Sequence, residues 1–326
     1  MTKIAVLDDW QGVSRQAADW SQLAKRAELV FFERSLGEPD AAVKALADFD
    51  IIVAMRERMK FPATVITRLP KLRMIALTGS RTWTMDIEAC NARRIVISNT
   101  GGEKSTAATA EIALGLLLSA ARYIPTADAS MRDGRFQTGV PAGIVLDGRT
   151  LGVMGLGKIG SRLARYGQAL GMKVVAWSQN MTQEKAQAAG ARLVDKATLL
   201  AESDAITLHL VLSDRTRGIL GAADLARMKP GAILVNTSRG PLVDETALVE
   251  RLRSGKLIAG IDVFAQEPLP ADHPLRSLPN VVLTPHLGYC TQEVYAQFYR
   301  ESIENVVAFL DGKPTRVLNP EALRSA

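Results

Sequence analysis

Short apolar runs alternate along the chain with stretches whose apolar residues recur every three or four positions. In the first hundred residues, runs suited to strands occur at Ile4–Leu7, Leu29–Phe32, Ile51–Val53, Met74–Leu77 and Ile95–Ile97. Helix-like stretches such as Asp40–Ala47 and Ala63–Leu69 lie between them. A second series begins at Thr150, with strands expected at Leu151–Met154, Lys173–Trp177, Ala205–Leu208, Ala232–Asn236, Ile258–Val263 and Val281–Leu283. Its helices include Lys185–Ala189 and Asp244–Ser254. Apolar strands alternating with helices imply parallel sheets covered on both faces, so the pattern predicts an α/β protein with two doubly wound parallel-sheet domains. Between the series, Thr106–Arg122 has an almost unbroken small-apolar body, suited to a helix buried between domains. Tyr123–Arg149, rich in Gly, Pro and Asp, reads as a connector. A last helix, Gln292–Asp311, stops at Gly312 before Pro314.

The stretch Leu151–Gly160 organises the second series. An apolar strand runs into G-x-G-x-x-G at Gly155, Gly157 and Gly160, and an amphipathic helix follows with Ile159, Leu163, Tyr166 and Leu170 on one side. Gly155 permits the tight turn, Gly157 lets backbone approach a pyrophosphate, and Gly160 lets the helix pack closely on the sheet. The helix start, with the N–H groups of Lys158 and Ile159, suits phosphates. With a strand before it, a helix after it and a second strand at the right distance, the motif predicts dinucleotide binding.

Length and composition narrow the rest. A chain of 326 residues can hold two domains with separate cores. No apolar run reaches membrane-spanning length, and the N-terminus reads as a first strand, not a secretory signal. Two cysteines, Cys90 and Cys290, form no disulfide framework, so a reducing cytoplasm is expected. The net charge of +6 comes from scattered basic residues with few aromatics among them, so no nucleic-acid partner is expected, and no metal.

Chemistry concentrates after the strands, where open α/β sheets bind ligands. Of three histidines, His273 in A-D-H-P reads as a solvated turn residue, and His209 as a satisfied structural one. His286, in L-T-P-H-L-G, is presented by a loop between a stiff proline and a permissive glycine, as a catalytic imidazole would be. Arg239, in V-N-T-S-R-G, offers a fork matched to a carboxylate. Glu267, in D-V-F-A-Q-E-P, follows another strand of the same sheet. In the first series, Met55–Arg58 and Leu77–Arg81 are candidate substrate walls, with Arg56, Gly79, Ser80 and Arg81 as substrate contacts beside Arg239.

G-L-G-K-I-G, N-T-S-R-G, D-V-F-A-Q-E-P and T-P-H-L-G, together with T-A-E at Thr109–Glu111, resemble in order and spacing the D-isomer-specific 2-hydroxyacid dehydrogenases. That family includes phosphoglycerate dehydrogenases and glyoxylate/hydroxypyruvate reductases. The resemblance implies a Rossmann cofactor domain at 102–288 inserted in a flavodoxin-like substrate domain at 1–101 and 289–326. Closure would hinge near Asn99–Gly102 and Gly288–Thr291. It implies a homodimer, without membrane partner, and carries no expectation of a regulatory C-terminal extension, since the chain ends soon after Pro320. It implies hydride transfer between a nicotinamide cofactor and a small 2-hydroxy or 2-oxo acid. Arg239 would bind the carboxylate, His286 would exchange the proton, and Glu267 would orient His286. Cofactor contacts implied besides the glycine motif are Ser80, Thr109, Ser178 and Leu210, then Thr237, Ser238, Asp262, His286 and Gly288, with Asp262 near the nicotinamide.

Two departures stand out. Arg81 replaces the second glycine of the family's usual G-x-G after the fourth strand, with Trp83 close behind. The acid that holds the ribose diol is replaced by Ser178, and Lys173–Gln183 contains no acid at all. NAD or NADP is therefore expected, with NAD slightly preferred. Alternatives are an NADH-sensing corepressor-like scaffold and a formate dehydrogenase-like enzyme; the latter group pairs its histidine with glutamine, against Glu267 here.

Overall fold

In the computed structural model, which describes residues 1–79 and 82–323, the chain divides into two compact units. One comprises Met1–Lys104 and the chain from Thr291 onward; the other, Ser105–Cys290, is inserted between them. The expectations placed on Ser80 and Arg81 lie outside the described residues.

The first unit has five parallel strands: β1 (Thr2–Val6), β2 (Ala27–Phe31), β3 (Ile51–Ala54), β4 (Met74–Leu77) and β5 (Val96–Asn99). Their order, β2-β1-β3-β4-β5, is flavodoxin-like and reverses between β1 and β3. Every residue of β3 and β4 is buried, because helices cover both faces. The helix Gln292–Leu310 returns to this unit and packs on β4 and β5.

The inserted unit has seven: β6 (Thr150–Met154), β7 (Lys173–Trp177), β8 (Arg192–Leu193), β9 (Ala205–Leu208), β10 (Ala232–Asn236), β11 (Leu257–Ile261) and β12 (Val281–Leu283). Their order, β12-β11-β10-β9-β6-β7-β8, is the Rossmann arrangement, with the reversal between β6 and β9. Alternate residues feed opposite cores: Met154, Ile206 and Leu234 one way, Val153, Ala205 and Ile233 the other. The helix Ser105–Arg122 lies wholly in this unit and packs on β10 and β11. A Cβ at Gly260 would stand 2.8 Å from Leu116, so glycine is needed where that helix crosses the sheet.

Some elements differ from expectation. The connector contains a helix, Ile124–Arg132, set off from its predecessor by Tyr123 in the left-handed region (φ 51°). Pro125 falls in the first turn, where no N–H is needed, and the glycines come only later, so the segment's composition masked a helix. Strand β8 has two residues and pairs only with β7, too little for an apolar pattern. The helices Ile87–Ala92 and Lys196–Glu202 are short, but Asp86 and Asp195 cap them as N-cap side chains. Among the described residues, no single helix is long and apolar enough to cross a membrane.

Asp8, just past β1, is 4% exposed and left-handed (φ 56°). Arg58 Nη1 donates to its carbonyl oxygen (2.5 Å), and the guanidinium lies 4.4 Å over the Trp10 ring. Burial pushes the Asp8 carboxyl up to about 6, against the pull of Arg58 and the Trp10 indole. Neither Asp8 Oδ2 nor Trp10 Nε1 has a partner at hydrogen-bond distance, so the indole acts weakly and burial dominates. The folded state thus keeps this proton to about pH 6, whereas the unfolded chain releases it near pH 4. Its stabilising contribution is complete below pH 4 and lost as pH rises through 6. Asp8→Asn tolerates the same backbone and does not titrate. In urea unfolding, its advantage over the parent should grow from pH 4 to pH 7, by up to about 3 kcal/mol. A difference independent of pH would refute the buried-acid account.

Candidate active site

The turn after β6 behaves as its glycines require. Gly155 has φ 100°, and a Cβ there would stand 2.9 Å from the His209 carbonyl oxygen. A Cβ at Gly160 would collide with the carbonyl oxygen of Gly155, which shows how closely the helix Lys158–Ala169 approaches the turn. Gly157 is different: a Cβ there meets nothing within 4 Å. It begins a helix with no side-chain cap and no acid in its first turn, so the N–H groups of Lys158 and Ile159 sit at an uncapped, positive helix end. At the end of β7, half-buried Ser178 is followed by exposed Gln179 and Asn180, none of them charged.

The loops after β10, β11 and β12 interlock. Asn236 is buried; its Nδ2 donates to the Arg239 carbonyl oxygen (2.9 Å) and its Oδ1 accepts from Ser238 N (3.0 Å). Ser238 Oγ donates to the Leu210 carbonyl oxygen (2.5 Å), tying this loop to the one after β9. Half-buried Arg239 donates from Nη1 to the Ser238 carbonyl oxygen (2.6 Å). The next residue, Gly240, lies so close to the backbone of Phe264 and Ala265 that no Cβ fits. Phe264 N donates to Glu267 Oε1 (2.9 Å), and Glu267 Oε2 lies 2.6 Å from His286 Nδ1. The three residues singled out in the sequence therefore belong to one connected set of loops. His286 has φ 54°, its ring is edge-on to Tyr289 at 5.7 Å, and its side chain is 18% exposed. With Nδ1 held by Glu267, Nε2 is the nitrogen left for proton exchange.

Other expected residues fall into different settings. Thr237 Oγ1 is buried without a partner beside Ser238, as a hydroxyl awaiting a ligand would be. Together with the open approach at Gly157, it fits a dinucleotide lying along this edge. Thr109 Oγ1 is shared between the carbonyl oxygens of Ser105 (2.8 Å) and Gly288 (2.9 Å). Asp262 is fully buried and spends its carboxylate on the loop that carries His286. His209 Nε2 sits 3.1 Å from Thr207 Oγ1, and burial pushes its ring down to about 4, so it is neutral at ordinary pH.

His273 is not a solvated turn residue. Its Nε2 lies 3.1 Å from Glu245 Oε1 and its Nδ1 accepts from Leu275 N (3.3 Å), because it caps the short 3-10 helix Pro274–Ser277. Glu245 also accepts from Ala265 N (3.2 Å), which fastens the Glu267 loop. Asn236, Thr284 and Glu245 support the site although none was singled out; a buried Asn closing a strand was the available signal.

In the first unit, Arg56 is left-handed (φ 49°), its N–H donates to Thr78 Oγ1 (2.9 Å) and its Nε lies 3.4 Å from Glu57 Oε2. A Cβ at Gly79 (φ 77°) would stand 3.2 Å from Arg56 Nη1. Arg56 and Gly79 thus end neighbouring strands side by side.

Residues 114–288 match the family described as D-isomer specific 2-hydroxyacid dehydrogenase, NAD binding domain. A glyoxylate reductase of Aeropyrum pernix is 40% identical over 80% of this chain and 80% of its own length. The chain belongs to the D-isomer-specific 2-hydroxyacid dehydrogenase family. Within it, a D-3-phosphoglycerate dehydrogenase of Archaeoglobus fulgidus is 39% identical over 84% of this chain but only 52% of its own length, so the chain spans about half of that relative. The crystal structure of a phosphoglycerate oxidoreductase from Vibrio cholerae O395 superposes with a TM-score of 0.90 at 36% identity, covering 96% of this chain and 100% of that one. The inserted unit of this dehydrogenase-family chain is accordingly an NAD-binding domain.

The glycines separate folding from binding. Gly160→Ala should lower unfolding stability by about 1–3 kcal/mol through overpacking. Gly157→Ala should leave thermal unfolding unchanged while weakening NADH binding, read by fluorescence titration. Equal stability losses in both variants would remove Gly157 from the phosphate turn.

Proposed function

We propose that the protein is an NAD(P)-dependent oxidoreductase that interconverts a small D-2-hydroxy acid and its 2-oxo acid. The observation that carries this reading is the 2.6 Å contact of Glu267 with His286 Nδ1, joined through the Phe264 backbone to the Arg239 loop. Bound nicotinamide supplies the hydride for reduction and takes it up in oxidation. Gly155, Gly157, Lys158, Ile159 and Gly160 would hold its pyrophosphate, with Thr237, Ser238, Leu210 and Gly288 along the same edge. The Arg239 fork binds the substrate carboxylate and stabilises negative charge developing on the carbonyl oxygen. His286 Nε2 gives that oxygen a proton during reduction and recovers it during oxidation. Arg56 and Gly79, with Ser80 and Arg81, contribute to substrate binding from the first unit.

Neutral Ser178, Gln179 and Asn180 offer neither an acid to repel a 2′-phosphate nor a cation to hold one. Both cofactors are accepted on this reading, NAD slightly better. Ile124, Met131, Phe136 and Val145 are exposed apolar side chains within one segment, which favours a homodimer in which a second copy covers them. Sedimentation at micromolar concentration should give the dimer mass, and a monomer would refute the pairing. The free cysteines Cys90 and Cys290 suit a reducing cytoplasm.

A panel of 2-oxo acids with NADH and with NADPH should show turnover for at least one acid, and none at all would sink the reading. Glu267→Gln keeps a hydrogen-bonding side chain but removes the carboxylate that holds His286 Nδ1. It should cost roughly 100-fold in rate with NADH affinity little changed, and His286→Gln should cost more. Parent-like turnover in either variant would leave the pair without an acid–base role.

A further inference from the structure

His286 is gripped from two directions. Glu267 holds its ring, and Asp262 holds its backbone. Asp262 lies just past β11 with its side chain fully buried. Its carbonyl oxygen accepts from His286 N (2.8 Å). Its Oδ1 accepts from Thr284 Oγ1 (2.6 Å) and Leu287 N (2.7 Å), and its Oδ2 from Gly288 N (3.0 Å). Three successive N–H groups, at His286, Leu287 and Gly288, thus converge on one residue. The carboxylate takes the N–H groups of Leu287 and Gly288, and the backbone carbonyl oxygen takes that of His286.

We propose that Asp262 is the positioning residue of His286: its buried carboxylate is the template around which Thr284–Gly288 folds, and it influences the reaction through that loop. The proposal rests on His286 being the proton-exchanging group. Three features support it. His286 is a non-glycine residue at φ 54°, a conformation that persists only where neighbours over-determine it. Gly288 is where a Cβ would press on Asp262 Oδ2 at 3.3 Å, so the glycine allows the loop to close on the carboxylate. Thr109 then pins the far end of the loop through the Gly288 carbonyl oxygen. Burial raises the Asp262 pKa, and Thr284, Leu287, a protonated His286 and Gly288 draw it back, so the loop that the carboxylate shapes also stabilises its charge. Oδ2 accepts a single hydrogen bond from the loop, so the same carboxylate keeps acceptor capacity for the nicotinamide contact expected of it.

Asp262→Asn tests this, because its amide would present a donor to N–H donors. Turnover should drop about 100-fold in both directions, while NADH affinity, from fluorescence titration, stays within about threefold. In the Asp262→Asn background, Glu267→Gln should cost far less than it does in the parent, since the ring it orients is already displaced. Thr284→Val removes a single donor and should show the same pattern more weakly, which keeps the test open should Asp262→Asn fold poorly. Cofactor affinity falling in step with turnover, or fully additive losses, would overturn the proposal, as would parent-like activity. His286→Asn with parental turnover would instead refute the reading of His286 itself.

Discussion

Parallel register sets the site. In the seven-stranded sheet, Trp177 pairs with Met154, Met154 with Leu208, Leu208 with Asn236, Asn236 with Ile261, and Ile261 with Leu283. One row of backbone partners therefore crosses six strands, and the residue after each leaves the sheet at the same level. Those residues are Ser178, Gly155, His209, Thr237, Asp262 and Thr284. No long-range design is needed to bring a glycine turn, a threonine hydroxyl and a buried acid to one edge; parallel pairing in register does it. The loops can then interlock because glycine stands wherever backbones nearly touch, at Gly155 under His209, Gly160 on Gly155 and Gly240 on Phe264. A slip of one residue in any strand would turn its exit residue to the other face.

The sequence showed most of this edge in advance, for a physical reason. Parallel strands read as apolar runs, and β7, β9, β10 and β12 have the bounds expected of them, although only β9 and β10 are buried throughout. The loop after each run is then a candidate by position, and the chemistry of the side chains in it singles out Arg239, Glu267 and His286. Hidden from the sequence were contacts that depend on loop shape. Nothing in T-A-E at Thr109–Glu111 shows that Thr109 would bond the carbonyl oxygen of a residue far along the chain. His273 looked solvated because a turn composition does not reveal that Glu245 lies beneath it. The helix Ile124–Arg132 was missed for a simpler reason, the averaging of its composition with the glycines that follow.

Two buried carboxylates show how the same penalty can be met differently. Asp8 and Asp262 each follow a strand one in from a sheet edge, and each has its pKa raised by burial. Around Asp262, burial still raises the pKa, but a hydroxyl and two N–H groups reach its two oxygens and offset part of that penalty with hydrogen bonds. Around Asp8, Arg58 and Trp10 oppose burial without a hydrogen bond to Oδ2, and the acid holds its proton to about pH 6. The difference lies in the backbone: three consecutive N–H groups can close on Asp262 only because His286 takes a left-handed turn between Pro285 and a glycine-terminated loop. The left-handed conformation of His286 and the hydrogen bonds that its loop gives to Asp262 are thus one arrangement seen from two sides.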